Sequence, residues 1–193
     1  MKRTMKPGMI IPIAALALMI LSSGPMIAVA KDNASELAER KKRIDTDCKE
    51  VLAKLLEKSP DAKSLYGKSY GYSVFTATKV TVLASGGGGR GVAVEKKSGK
   101  RIYMKMATAG VGVGLGAQRT EFIFLFENKE VFDKFVQKGW QGGAGVSAAA
   151  GTAGTNKAVG FKDGVAVFQF TKAGLVASAD ISGNKFWKDD ELN

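Results

Sequence analysis

A glycine-rich stretch at residues 86–91 is the first place where the sequence suggests ligand chemistry. Gly86, Gly88 and Gly91 fit the spacing G-x-G-x-x-G, which binds a dinucleotide when a helix follows and its N-terminus holds the pyrophosphate. Here the strand-like segment VAVE, residues 92–95, follows instead. The spacing therefore predicts a glycine turn between two strands rather than a nucleotide site. That turn comprises Gly86, Gly87, Gly88, Gly89 and Gly91.

The residue types that perform most protein catalysis are scarce in this chain. It contains no His and one Cys, which excludes Ser-His-Asp and Cys-His catalysis, His-ligated zinc and internal disulfides. Carboxylate pairs can act as acid and base without His, but only six Asp or Glu lie between Ala62 and Ala179, and no pair has a suggestive spacing. We therefore expect a protein that is not an enzyme and that holds no metal or cofactor.

Basic residues are concentrated in the same part of the chain, where sixteen Lys or Arg face those six acids between Ala62 and Ala179. Each Lys or Arg near an anionic membrane contributes about 1 kcal/mol of attraction. The sequence predicts binding to anionic lipid, and the alternative of a charged surface without a partner stays open. The candidate residues surround one turn, with one base in the glycine turn: Lys96, Lys97, Lys100, Arg101 and Arg90.

The first thirty residues have the order of a secretory signal peptide. A basic start precedes an apolar stretch of 13 residues, 9–21, which is shorter than the roughly 20 residues that cross a membrane. Small residues follow and end at Ala30, after which we expect cleavage. The mature protein would then work in the periplasm or outside the cell, peripheral on a membrane. Export argues against nucleic acid as a partner, as does the lack of aromatics among the clustered bases.

Apolar spacing predicts the elements that carry these residues. An amphipathic helix is expected over Ala34–Lys58, within an N-terminal segment 31–60, and a short helix over Asp61–Tyr66 with Ser59 as its N-cap. Cys48 is interpreted as a buried residue of the first helix, with an intermolecular disulfide as the alternative. The apolar stripe of this helix consists of Leu37, Ile44, Cys48, Val51, Leu52, Leu55 and Leu56.

Residues 61–193 are expected to form an α+β core. A further helix is predicted at Lys129–Lys138, and the links between strands are too short for parallel crossovers, so the glycine-rich sheet should be mostly antiparallel. The predicted strands are Tyr70–Thr76, Val80–Ala84, Gly91–Lys96, Arg101–Ala107, Val111–Gln118, Thr120–Glu127, Gly164–Phe170 and Gly174–Ile181.

Two of these strands have unusual patterns. Phe122–Phe126 is apolar at every position, which predicts a central strand covered on both faces. Glycine alternates with apolar residues over Gly110–Gln118, so one face of that strand would be bare backbone. We interpret this bare face as a packing surface, with close approach of a ligand as the alternative.

Five segments in this order resemble the SYLF domain family, and within it the small exported bacterial branch. The resemblance covers Glu36–Asn193, and its last segment, Gly174–Asn193, ends in the run KFWKDDELN, residues 185–193. The other segments are Tyr70–Val74, Gly86–Gly91, Gly110–Gln118 and Glu121–Glu127.

The resemblance to this family implies lipid binding. Eukaryotic relatives bind phosphoinositides and some bind actin, so what carries over to an exported bacterial protein is recognition of anionic lipid, with Arg90 as the best-matching position. We therefore expect a non-catalytic module that binds anionic phospholipid headgroups. The alternative is an envelope module that binds a protein or has a structural role.

Overall fold

The computed structural model describes residues 26–81, 84–111, 116–141, 160–171, 174–177 and 183–193. Residues Glu36–Asn193 form one compact unit. The apolar stretch 9–21 of the predicted signal peptide lies outside the described residues.

Two helices open the fold. Helix α1 runs over Met26–Lys58, so it begins eight residues before the predicted start at Ala34, and the predicted apolar stripe faces the core. Helix α2 runs over Pro60–Lys68, and the Ser59 side chain accepts a hydrogen bond from the Ala62 amide, as expected for its N-cap. A third helix, α3, covers Lys129–Lys138, which is the predicted segment. Among the described residues, no helix has the length and apolar character that a membrane crossing needs.

Within the described residues, eight strands form one sheet in which every neighbouring pair is antiparallel, as predicted. The order across the sheet is β5-β8-β3-β2-β1-β4-β6-β7, in which β1 to β4 have the order of a Greek key. The strands are β1 Gly71–Thr81, β2 Ala84–Glu95, β3 Arg101–Val111, β4 Gly116–Phe126, β5 Trp140–Gln141, β6 Val165–Thr171, β7 Gly174–Ala177 and β8 Asn184–Lys188.

The strand boundaries correct several predictions. The predicted strand Val80–Ala84 is divided between the end of β1 and the start of β2, and residues 82–83 lie outside the described residues. The prediction of a glycine turn at Gly86–Gly91 is wrong. These residues lie inside β2 and pair with β1 on one side and with β3 on the other. The predicted strand Val111–Gln118 is divided between the end of β3 and the start of β4, and residues 112–115 lie outside the described residues. The interpretation of Gly112 and Gly114 as a packing surface therefore stays a prediction.

Apolar residues cover both faces of the sheet, which makes the architecture α+β. On one face, α1 and α2 pack on a cluster that includes Ile123 and Leu125. On the other face, α3 packs on an aromatic cluster that includes Phe122, Phe124 and Phe126. The prediction that residues 122–126 form a central strand covered on both faces is confirmed, since all five side chains are buried.

The sheet is strongly curled around this aromatic cluster. Phe186 lies in β8, three strands away from Phe75 in β1, and three strand spacings in a flat sheet would be about 14 Å. The centroids of the two rings are only 4.8 Å apart. The ring of Phe122, one strand further away, lies 6.1 Å from Phe186. The sheet therefore bends until β8, which lies next to the edge strand β5, packs against the side chains of its centre.

Alternate glycines of β2 lie on the concave side of this curl. Gly87, Gly89 and Gly91 alternate in phase with Ala93, which belongs to the aromatic cluster. A β-carbon at Gly89 would lie 2.2 Å from the Thr76 carbonyl oxygen, much closer than any van der Waals contact. The close approach of β2 and β1 thus requires positions without side chains.

Candidate functional site: a basic cleft at one end of the sheet

The predicted basic turn exists, and it joins β2 to β3. Residues 96–98 form the turn after Glu95, and Arg101 is the first residue of β3. Lys97 and Lys100 are exposed, and no salt bridge involves either of them among the described residues. The other three candidate residues have partners within the fold.

Lys96 caps the C-terminus of α2. Its Nζ donates hydrogen bonds to the carbonyl oxygens of Tyr66, Gly67 and Ser69, and it lies 4.5 Å from the centroid of the Tyr66 ring. A cation at this position satisfies carbonyls that the helix leaves unpaired. Burial lowers the pKa of Lys96 below its ordinary value. Lys96 therefore supports the fold, and we expect its replacement to lower the stability of the domain.

Arg90 faces a buried carboxylate. Its Nε lies 3.8 Å from Oδ2 of Asp189, whose side chain is fully buried. Lys105, its pairing partner on β3, lies 2.9 Å from Oδ1 of the same carboxylate. Together, these two bases compensate the charge of Asp189 and hold the C-terminal segment against the sheet. Arg90 is thus part of a fold-stabilising cluster as well as a candidate for lipid contact.

Arg101 and Tyr103 are both tied to α1 through Asp45. Arg101 Nε lies 3.5 Å from Oδ1 of Asp45, and the Tyr103 hydroxyl donates to Oδ2 of Asp45 at 3.2 Å. Burial, followed by the charge of Asp45, raises the pKa of Tyr103. Lys41, one turn before Asp45 on α1, lies 5.3 Å from the centroid of the Tyr103 ring. These contacts hold the basic side chains of Lys41 and Arg101 beside the start of β3.

Lys41 and Arg101 line a cleft of about 500 Å³ at the end of the sheet where β3 begins. Cavities of this size accommodate small ligands and headgroups. The cleft lies between α1 on one face of the sheet and α3 on the other. Its lining residues are Lys41, Lys100, Arg101, Ile102, Tyr103, Asp133, Val136, Gln137, Lys188, Leu192 and Asn193.

Positive charge dominates this lining, which carries four bases and one acid. The acid, Asp133, already accepts a hydrogen bond from Lys129, which lies outside the lining. This bond raises the pKa of Lys129. Arg101 shares its charge with Asp45. Lys41, Lys100 and Lys188 have no salt bridge among the described residues, so the cleft keeps an uncompensated positive charge.

The C-terminal residues form one wall of the cleft. Leu192 is buried in the cluster beneath α1. The Asn193 side chain bonds the backbone of Tyr103 twice: its Oδ1 accepts from the Tyr103 amide at 3.0 Å and its Nδ2 donates to the Tyr103 carbonyl at 2.8 Å. The wall is therefore fixed directly to the strand that carries the basic residues.

The chemistry available in the cleft is that of anion binding. Lys and Arg are the usual ligands of phosphate and carboxylate groups. Among the described residues, no group of His, Cys, Asp and Glu could hold a metal ion. Cys48 is buried in α1 beneath the sheet, as predicted, and burial raises the pKa of its thiol to about 12, which suppresses the thiolate needed for reaction.

Comparisons with known proteins identify the family of the chain. Residues 107–193 match the Ysc84 family, described as "Las17-binding protein actin regulator". Beta cell expansion factor A of Aeromonas veronii is 37% identical over 160 residues, which cover 83% of this chain. The chain belongs to the SYLF family. It spans 61% of the length of the Aeromonas relative. The SYLF family is a family of binding domains of the lipid- and actin-binding type rather than a known enzyme family.

Two basic residues of the cleft were missed by sequence reasoning. Lys41 belongs to the run RKKR, residues 40–43. Acidic residues of the same helix nearly balance the charge of this run, so the sequence predicts a solvated helix face there. Lys188 lies in the closing run that resembles other SYLF domains, but nothing local indicates its proximity to β3. The structure brings both to Lys100 and Arg101, whereas Lys97 does not line the cleft.

Proposed function

We propose that this SYLF domain is a non-catalytic module that binds anionic phospholipid headgroups in the basic cleft. The single observation that carries the proposal is the convergence of four basic side chains, from α1, β3 with its preceding turn, and β8, on one cleft of about 500 Å³. Each base near an anionic surface contributes about 1 kcal/mol of attraction, and the low acid content of the cleft leaves that attraction uncompensated. The proposed lipid contact is therefore the end of the sheet rather than the whole basic turn.

A test compares two triple variants that lose the same charge. Lys41→Gln, Lys100→Gln and Lys188→Gln together should lower the affinity for anionic liposomes at least tenfold, because they remove three cations from one site. Lys63→Gln, Lys68→Gln and Lys97→Gln change three exposed lysines outside the lining and should lower it less than about threefold, through the weaker, screened long-range field. Liposome flotation at two salt concentrations gives both affinities.

Equal losses in the two variants would contradict a cleft site and favour diffuse attraction. Indifference of the parent protein to lipid, combined with capture of an envelope protein, would support the alternative of a protein-binding module. The melting temperature of the cleft variant serves as a check on folding. It should change little, because none of its three lysines is fully buried or forms a salt bridge in the described part of the chain.

We also propose that the protein is exported and cleaved after Ala30. Cleavage there would remove the first five residues of α1, whereas the residues of α1 that pack in the core begin at Leu37. N-terminal sequencing of the protein from the periplasm or medium should therefore read Lys31, Asp32, Asn33. A mature chain that retains the stretch 9–21 would contradict both export by cleavage and the proposed location.

A further inference from the structure

We propose that the cleft selects phosphomonoester groups over phosphodiester groups, an inference that rests on the headgroup binding proposed above. A phosphodiester, as in phosphatidylglycerol, carries one negative charge. A phosphomonoester, as in phosphatidic acid or in soluble glycerol 3-phosphate, carries about 1.5 to 2 negative charges at pH 7 and offers three terminal oxygens. The charge and the arrangement of the cleft match the second group.

The basic side chains reach the cleft from three separate elements. Lys41 comes from α1, Lys100 and Arg101 from the start of β3, and Lys188 from the end of β8. The Arg101 charge is shared with Asp45 at 3.5 Å, which leaves three lysines without a carboxylate partner in the described structure. One negative charge would leave most of this positive charge uncompensated. A dianion with three terminal oxygens offers one acceptor oxygen to each of the three elements.

The opposite wall of the cleft argues against headgroups that need a carboxylate. Asp133 of α3 is the acidic side chain of the lining, and its Oδ2 already accepts a hydrogen bond from Lys129. The ammonium of an ethanolamine or serine headgroup would have to share that carboxylate with Lys129. Selection in the cleft therefore depends on the number of negative charges on the phosphate rather than on a zwitterionic pattern.

The amino-acid composition makes this inference testable by pH. The groups facing the ligand are Lys41 from α1, Lys100, Arg101 and Tyr103 from β3, Asp133 from α3 and Lys188 from β8, with Asp45 behind Arg101. None of these residue types ordinarily titrates between pH 5 and 7, and the chain contains no His. The second proton of a phosphomonoester dissociates near pH 6. A change in affinity within this interval would thus come from the ligand.

The first experiment uses phosphatidylcholine vesicles that contain either phosphatidic acid or phosphatidylglycerol, adjusted to equal surface potential. At pH 7 the protein should bind the phosphatidic acid vesicles about tenfold more tightly, because one additional charge meets the three lysines. At pH 5 the preference should shrink to about twofold as the second proton binds. The double variant Lys41→Gln, Lys188→Gln should lose most of the preference, whereas Lys63→Gln, Lys97→Gln should keep it.

A second experiment distinguishes a lipid headgroup from a soluble phosphomonoester as the ligand. Direct binding of glycerol 3-phosphate that is stronger at pH 7 than at pH 5 would support selection of a phosphomonoester. If the protein then shows no preference between the two kinds of vesicle, the ligand is a soluble phosphomonoester. Equal affinity for both kinds of vesicle at both pH values, without binding of glycerol 3-phosphate, would overturn the inference. The proposed function would still stand if the triple cleft variant weakened that binding. Absence of binding to either vesicle would overturn the proposed function itself.

Discussion

A Gly89→Ala variant is expected to lose about 3 kcal/mol of unfolding free energy, at the upper end of the ordinary cost of overpacking. The added methyl would lie 2.2 Å from the Thr76 carbonyl oxygen and 2.7 Å from the Ala77 Cα, and both atoms belong to the backbone of β1. A side chain could rotate away, but a central strand can move only by disturbing its pairing with β2 and β4. The melting temperature should fall by roughly 6–12 °C.

Gly86→Ala is the matched control for this prediction. Gly86 lies in the same strand, and a β-carbon there would meet no atom within 4 Å. Its substitution should change the free energy of unfolding by less than about 0.5 kcal/mol. Urea denaturation of both variants measures the difference. Equal stabilities would show that β2 and β1 are less close than described and that the curl does not depend on bare backbone.

The second large effect is expected from Phe186→Ala, which should cost about 3–5 kcal/mol. The Phe186 ring is almost fully buried, with ring centroids of Phe75 and Phe124 at 4.8 and 5.0 Å. Its removal leaves a cavity between β8 and the centre of the sheet, which rigid neighbouring strands cannot fill. The concentration of urea at the unfolding midpoint should decrease accordingly.

Lys185→Ala provides the comparison, since this neighbouring side chain is exposed and should change stability by only about 0.5 kcal/mol. Hydrogen exchange adds a local measurement. In Phe186→Ala, amides of β8 should exchange faster by a larger factor than those of β4, because β8 loses its anchor to the core. A uniform increase across both strands would argue against a specific role of Phe186 in the curl.

Local patterns were sufficient to predict most of the elements. The helices follow from apolar spacing and from the cap at Ser59, and the double coverage of residues 122–126 follows from their uninterrupted apolar character. The glycine run was misread because glycine favours turns when only neighbours in sequence are considered. Its presence in β2 depends on how closely β1 approaches, and β1 contacts it through pairing that no local pattern specifies.

The candidate site was predicted less completely for the same reason. A sequence shows where bases are concentrated, but the partner of each base is determined by the tertiary fold. Lys96 and Arg101 were correctly placed near one turn, yet one caps α2 and the other faces Asp45. Lys41 and Lys188 are 147 positions apart in the sequence, and only the packing of α1 and β8 beside β3 brings them to one cleft.

The bonds from Asn193 to Tyr103 also bear on aggregation. An unpaired strand edge is a template on which another chain can form hydrogen bonds. Beyond the last residue that β8 pairs, the Tyr103 carbonyl accepts a hydrogen bond from the Asp189 amide, but the Tyr103 amide would present such an edge. The Asn193 side chain accepts from that amide and also donates to the carbonyl. An amide side chain imitates one residue of a neighbouring strand and has no further backbone groups with which to extend the ladder. At this position of β3, the domain thus ends its sheet with a side chain that does not recruit another copy.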